Sequence, residues 1–118
     1  MSTLEFGVVD GDGATIPGMH VQCMATTKPR LTTIAWKITL FQADGAHLLR
    51  VYQIDNPGLT GMRPGDHDFP HEHIGEPRQP DDPAWQSIGF NGMLDVFCQR
   101  CALTLDGTVP DPTAYPLR

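Results

Sequence analysis

Six prolines, Pro57, Pro64, Pro70, Pro77, Pro80 and Pro83, fall between Asp55 and Pro83, with glycines among them. Each proline fixes its own φ and lacks a backbone N–H, so no sizeable helix and no continuous central strand crosses this stretch. The chain has 118 residues, enough for one domain with a single hydrophobic core. That core must be built from the segments on either side of the proline-rich region. A connection this long inside a compact domain is either functional or disordered as a rule. Phe69 and Ile74 argue for order, since both can anchor the segment to a sheet. A short extended piece fits His71–Ile74, with His71 and His73 on one face and Glu72 on the other.

Before the prolines the sequence alternates. Leu4–Val9 is a short apolar run closed by Asp10-Gly11-Asp12-Gly13, a strong turn signal. Met19–Thr26 places Met19, Val21, Cys23 and Ala25 on one side. Leu31–Gln42 is the clearest strand, with Ile34, Trp36, Ile38 and Leu40 on one face and Thr33, Ala35, Lys37 and Thr39 on the other. Asp44-Gly45 then closes a hairpin onto Leu48–Ile54. After the prolines, Asn91–Leu103 has the spacing of a helix, its stripe formed by Phe90, Met93, Leu94, Phe97, Cys98 and Cys101. Asn91 fits the N-cap, and Asp106-Gly107 supplies the stop. The expected architecture is α+β: an antiparallel β-meander of about four strands with one C-terminal helix packed on it. Residues 55–83 form an irregular loop, and the tail from Val109 is irregular as well.

Candidate chemistry is concentrated in Asp66–Glu76. Three of the chain's five histidines, His67, His71 and His73, lie here among Asp66, Asp68, Glu72 and Glu76. Imidazoles and carboxylates at this density suit proton transfer near neutral pH or the binding of a divalent metal. For phosphodiester cleavage through a 2′-hydroxyl, His71 and His73 supply a base and an acid, and Asp68 or Glu72 orients an imidazole. Arg50 stabilises the charge on phosphorus, with Arg63 in the loop as a second cation. Tyr52, two residues from Arg50 and on the same strand face, can stack a base. The clustered carboxylates repel a phosphate, which keeps a metal reading open. Zinc could be held by His71 and His73 with Cys98 and Cys101, or a metal with an open position by Asp66, His67, His71 and His73.

The net charge of −6 excludes a general nucleic-acid binder, which needs clustered Lys and Arg. RNA contact would have to be local, and acidity could instead favour a basic protein partner. Three cysteines are too few and too odd in number for a disulfide framework. No apolar run approaches the ~20 residues of a membrane span, and no basic-then-apolar leader pattern opens the chain. A soluble, cytoplasmic protein is the expectation, and an unpaired sheet edge would allow a homodimer.

Taken in order, Asp44-Gly45, Leu48-Leu49-Arg50, Asp55-Asn56-Pro57 and Phe69-Pro70-His71-Glu72-His73-Ile74-Gly75 resemble the TumE-type toxins of prokaryotic toxin–antitoxin loci. The resemblance runs over roughly Leu31 to Val96, and a helix follows the histidine run in that family too. Two positions depart from its pattern. Gly58 and Leu59 stand where family members carry a histidine pair, and Glu72 takes the place of a histidine in the run. The resemblance implies a toxin acting on RNA, with an antitoxin protein as partner.

Overall fold

The computed structural model describes residues 2–28, 33–57, 63, 65–66 and 69–105. Five strands, β1 (Ser2–Val9), β2 (Thr15–Lys28), β3 (Thr33–Asp44), β4 (His47–Asn56) and β5 (His71–Ile74), form one antiparallel sheet in chain order. A 3-10 turn (Pro83–Ser87) and one helix, α1 (Phe90–Cys101), follow. The α+β meander expected from the sequence is the observed architecture. The fifth strand is the short extended piece His71–Ile74, and it ends the sheet.

Local chemistry sets the connections. Between β1 and β2 the Asp10 carboxylate accepts the N–H groups of Asp12 and Ala14, closing a tight turn. The β3–β4 hairpin needs left-handed backbone at the first position of its two-residue loop, and Gly45 provides it with φ 60°. Between β4 and β5 the chain is long, as the prolines require.

The alternating apolar residues all face one side. Val21, Cys23 and Ala25 of β2, Trp36, Ile38 and Leu40 of β3, and Tyr52 and Ile54 of β4 meet Phe90, Met93, Leu94 and Phe97 of α1. Trp36 packs edge-on to Phe90 with ring centroids 5.4 Å apart, and Tyr52 lies 5.6 Å from Phe97. Burial pushes the Cys23 thiol up to about 11, as expected of a core cysteine.

Three sequence expectations need correcting. The helix begins at Phe90 with Gly89 as its cap, not Asn91, because the buried ring of Phe90 belongs to the first turn. It ends at Cys101, where Ala102 turns left-handed (φ 54°) and Leu103 N–H closes onto the Cys98 carbonyl. Asp106-Gly107, expected to stop it, and the tail from Val109 lie outside the described residues. The third correction concerns β4. Leu40 pairs with Tyr52 and Phe41 with Arg50, so Val51 is an extra residue, a β-bulge. The bulge breaks the alternation and puts Arg50 and Tyr52 on opposite faces of the sheet.

Candidate functional site: a histidine pair on the edge strand

β5 pairs with β4 so that His71 lies opposite Asp55, Glu72 opposite Ile54, His73 opposite Gln53 and Ile74 opposite Tyr52. Residues opposite one another share a face. Glu72 therefore lies on the helix side with Ile54, while His71 and His73 lie on the other side with Asp55 and Gln53. The two imidazoles meet edge-on, ring centroids 5.0 Å apart and planes at 78°. The sequence expectation that they share a face holds.

Hydrogen bonds fix the tautomer of each ring. His71 Nδ1 lies 2.7 Å from the Phe69 carbonyl and His73 Nδ1 lies 3.1 Å from the Glu76 carbonyl. A carbonyl only accepts, so each Nδ1 carries a proton and each neutral ring keeps its lone pair on Nε2. His71 is buried beside Phe69 and Pro70, and its Nε2 lies 4.0 Å from the Asp55 carboxylate. His73 is half-buried. Burial lowers its pKa below the ordinary histidine value, and the nearby Arg50 charge lowers it further. It is a neutral base at pH 7.

Arg50 reaches the same face because of the bulge. Its Nε–H donates to the Gly75 carbonyl at 3.0 Å, one terminal nitrogen donates to Gln53, and the other donates to the Glu76 carbonyl and carboxylate. Gln53 in turn donates to the buried Thr39 hydroxyl. Arg50 thus clasps the turn that follows β5. A second clasp lies further along. Arg78 bridges to His73, binds both oxygens of the Asp81 carboxylate and donates to the Asp66 carbonyl. Asp81 also accepts the Gly65 N–H. Burial opposes ionisation of Asp81, but these donors outweigh it and hold the carboxyl below its usual range.

The helix side is a different site. Glu72 is buried, accepts the Tyr52 hydroxyl, and lies 3.3 Å from Arg100 Nε on α1. Burial and the Glu72 carboxylate push the Tyr52 phenol far up. Neither Tyr52 nor Glu72 faces the histidines, so the expectation that Tyr52 meets a base beside Arg50, or that Glu72 orients an imidazole, is overturned. Strand parity is the reason. Arg63 is exposed, and its backbone N–H binds the Asp66 carboxylate. None of its described contacts joins it to the pair.

The metal readings divide in the same way. Cys98 and Cys101 pack against the core on the helix layer, with the sheet between them and the histidine pair, so these four residues cannot form one zinc site. Burial pushes the Cys101 thiol up to about 11 and raises Cys98 as well. Among the described residues no group of three or more His, Cys, Asp or Glu is arranged to hold a metal ion. His67 and Asp68 lie outside the described residues.

The residue that sequence reasoning missed is Asp55. Its Asp-Asn dipeptide is visible in the sequence, but its place opposite His71 depends on the β4–β5 register. No helix among the described residues is long and apolar enough to cross a membrane. No protein-family model, no curated protein and no solved structure matches the chain.

Proposed function

We propose that the chain is a toxin-like ribonuclease of the toxin–antitoxin kind, working in the cytoplasm, with His71 and His73 as its proton-transfer pair. The observation that carries this reading is the pair's geometry. Two rings lie 5.0 Å apart on one face, each with Nδ1 engaged by a carbonyl and Nε2 left for chemistry. Their environments differ, as an acid and a base require. His73, half-buried and neutral at pH 7, takes the proton of a 2′-hydroxyl. The oxygen attacks phosphorus, and the departing 5′-oxygen receives a proton from His71, whose protonated Nε2 would face Asp55. The products are a 2′,3′-cyclic phosphate and a free 5′-hydroxyl.

Arg50 supplies the cation. Its bond to the Glu76 carboxylate is a surface pair, with that side chain 88% exposed, and such pairs contribute little. A substrate phosphate can take the place of Glu76 while the carbonyl bonds of Arg50 persist. An antitoxin protein would be the natural partner. The test is expression without a partner, followed by incubation of purified protein with RNA. Growth arrest and cyclic-phosphate ends are expected, with a bell-shaped pH–rate profile. Each should be lost in folded His71→Ala and His73→Ala proteins. Folded wild-type protein that neither slows growth nor cleaves RNA overturns the reading.

A second reading, a non-enzymatic interaction module, is favoured by one observation. Both guanidinium groups on the turns flanking the pair already bind the protein's own acceptors. On that reading the histidines close a loop, and binding takes place elsewhere on the sheet.

A further inference from the structure

Among the described residues the opposite edge of the sheet is open. There β1 has β2 as its single neighbour, so along its eight residues one row of backbone N–H and C=O groups faces outward. It carries neither proline nor lysine, two protections of such an edge; its charged residue is Glu5, and its pairing shifts register between Gly7 and Val9. Leu4 pairs with Cys23 and Phe6 with Val21, which puts both side chains on the helix side, yet they stand beyond the cover of α1. Leu4 is 43% exposed, Phe6 37% and Val9 57%. Beside them a groove of about 430 Å³ opens between β1, β2 and the C-terminal half of α1. Phe6, Val8, Val21, Cys23, Leu94 and Phe97 line it.

The described charges around this groove have one sign. Asp10 is the only charged residue among the described residues lining it. Asp95 lies close enough to raise the pKa of the lining residue Cys98. Glu5 stands on the other face of β1, bonded to Gln22, and Asp12 lies in the adjoining turn. The whole chain carries −6.

We propose that the β1 edge is a strand-addition site for an extended segment of a basic protein, one alternating apolar residues with Lys or Arg. An added strand completes the outward hydrogen bonds of β1, and every second side chain then falls over the groove. The intervening side chains lie beside Glu5, where a cation fits and a carboxylate does not. The same argument weighs against a second copy of this chain, since antiparallel pairing of two β1 strands brings Glu5 of one copy towards Glu5 or, in a shifted register, Asp10 of the other. The opposite edge cannot serve, because β5 offers four residues and its following turn is clasped by Arg50. This inference does not depend on the ribonuclease reading.

The probe is an eight-residue peptide alternating valine or leucine with lysine or arginine, titrated into the full chain and followed by amide shifts in nuclear magnetic resonance. Saturable binding is expected, with shifts confined to β1, its turn and the groove side of α1. Affinity should fall by about tenfold or more with added salt, and equally in a Glu5→Lys, Asp95→Lys double variant. Both substituted side chains are exposed, and an unchanged circular dichroism spectrum confirms their fold. A matching peptide with glutamate for the basic residues should not bind wild type, nor should the basic peptide with a central proline. His73→Ala should bind like wild type, which separates this test from the catalytic one. Equal binding of the basic and acidic peptides overturns the proposal, as does no binding. So does concentration-dependent dimerisation in sedimentation that Phe6→Lys abolishes, which would assign the edge to a second copy.

Discussion

Among the described residues β1 and β5 are the two outermost strands, and they handle that position in opposite ways: the backbone of Arg78 and Gln79 bridges onto β5, while nothing described pairs with the outer side of β1. β5 is four residues long, carries His71, Glu72 and His73, and is held on one face by Tyr52 and Arg100 and at its end by Arg50. β1 is twice as long, carries Leu4, Phe6 and Val9 exposed, buries Val8 in the core, and among the described residues pairs with β2 alone. Polar side chains on β5 are tied by specific bonds, so that edge is closed by its own chemistry. Apolar side chains on β1 leave the backbone row accessible. An edge whose polar groups are internally satisfied suits a fixed constellation of reacting groups, while an edge with unmet backbone donors and acceptors suits the capture of another strand.

Four measurements can break or sharpen this contrast. The largest effect belongs to Phe97, which meets Tyr52 near one edge and lines the groove near the other. Phe97→Ala should cost about 3–5 kcal/mol in denaturant unfolding, and a near-neutral result would mean that the two edges do not share one core. Next comes Glu72→Ala, which leaves the buried Tyr52 hydroxyl without its acceptor and should cost about 1–3 kcal/mol. Arg100→Ala should cost far less, because that side chain is 53% exposed. If the two losses are equal, the carboxylate is held by the helix rather than by the strand. A smaller effect concerns pH. His73 has a folded pKa below its ordinary 6.5, so just below that pH the unfolded chain binds more protons than the folded one. Melting temperature should fall as pH drops through this window, and His73→Gln should flatten the slope. A slope of the opposite sign would place a carboxylate, not burial, in control of the ring. The smallest effect is expected on β1, where Leu4→Lys should change stability by no more than about 0.5 kcal/mol. A large loss there would mean that Leu4 belongs to the core.

The sequence made the helix-side layer legible. Period-two alternation in Ile34, Trp36, Ile38 and Leu40, and the three-and-four spacing of Phe90, Met93, Leu94 and Phe97, each follow from local geometry, and all eight residues face the same core. The shared face of His71 and His73 was legible for the same reason. Asp55 was not, because its position opposite His71 depends on pairing across the whole proline-rich connection. Arg50 and Tyr52 were misassigned to one face because nothing at Val51 announces an inserted residue. Glu72 looked like a partner for imidazole, since carboxylate chemistry is visible in a sequence and the side of the sheet it occupies is not.

That extra residue at Val51 also governs how the chain can tolerate changes of length. Upstream of it β4 is in one phase and downstream in the other, so the strand is counted in residues rather than merely composed of them. Deleting Val51 would leave Arg50 directly before Tyr52 and on the face it already holds, but would remove the carbonyl that accepts the Gly75 N–H at 2.8 Å and so loosen the turn after β5. Lengthening the hairpin loop at Gly45, which lies beyond the counted segment, would leave the phase intact. Two lesions of equal size a few residues apart would therefore have unequal consequences. The vulnerable one strikes a side chain, Val51, that is itself exposed and makes no contribution to the core.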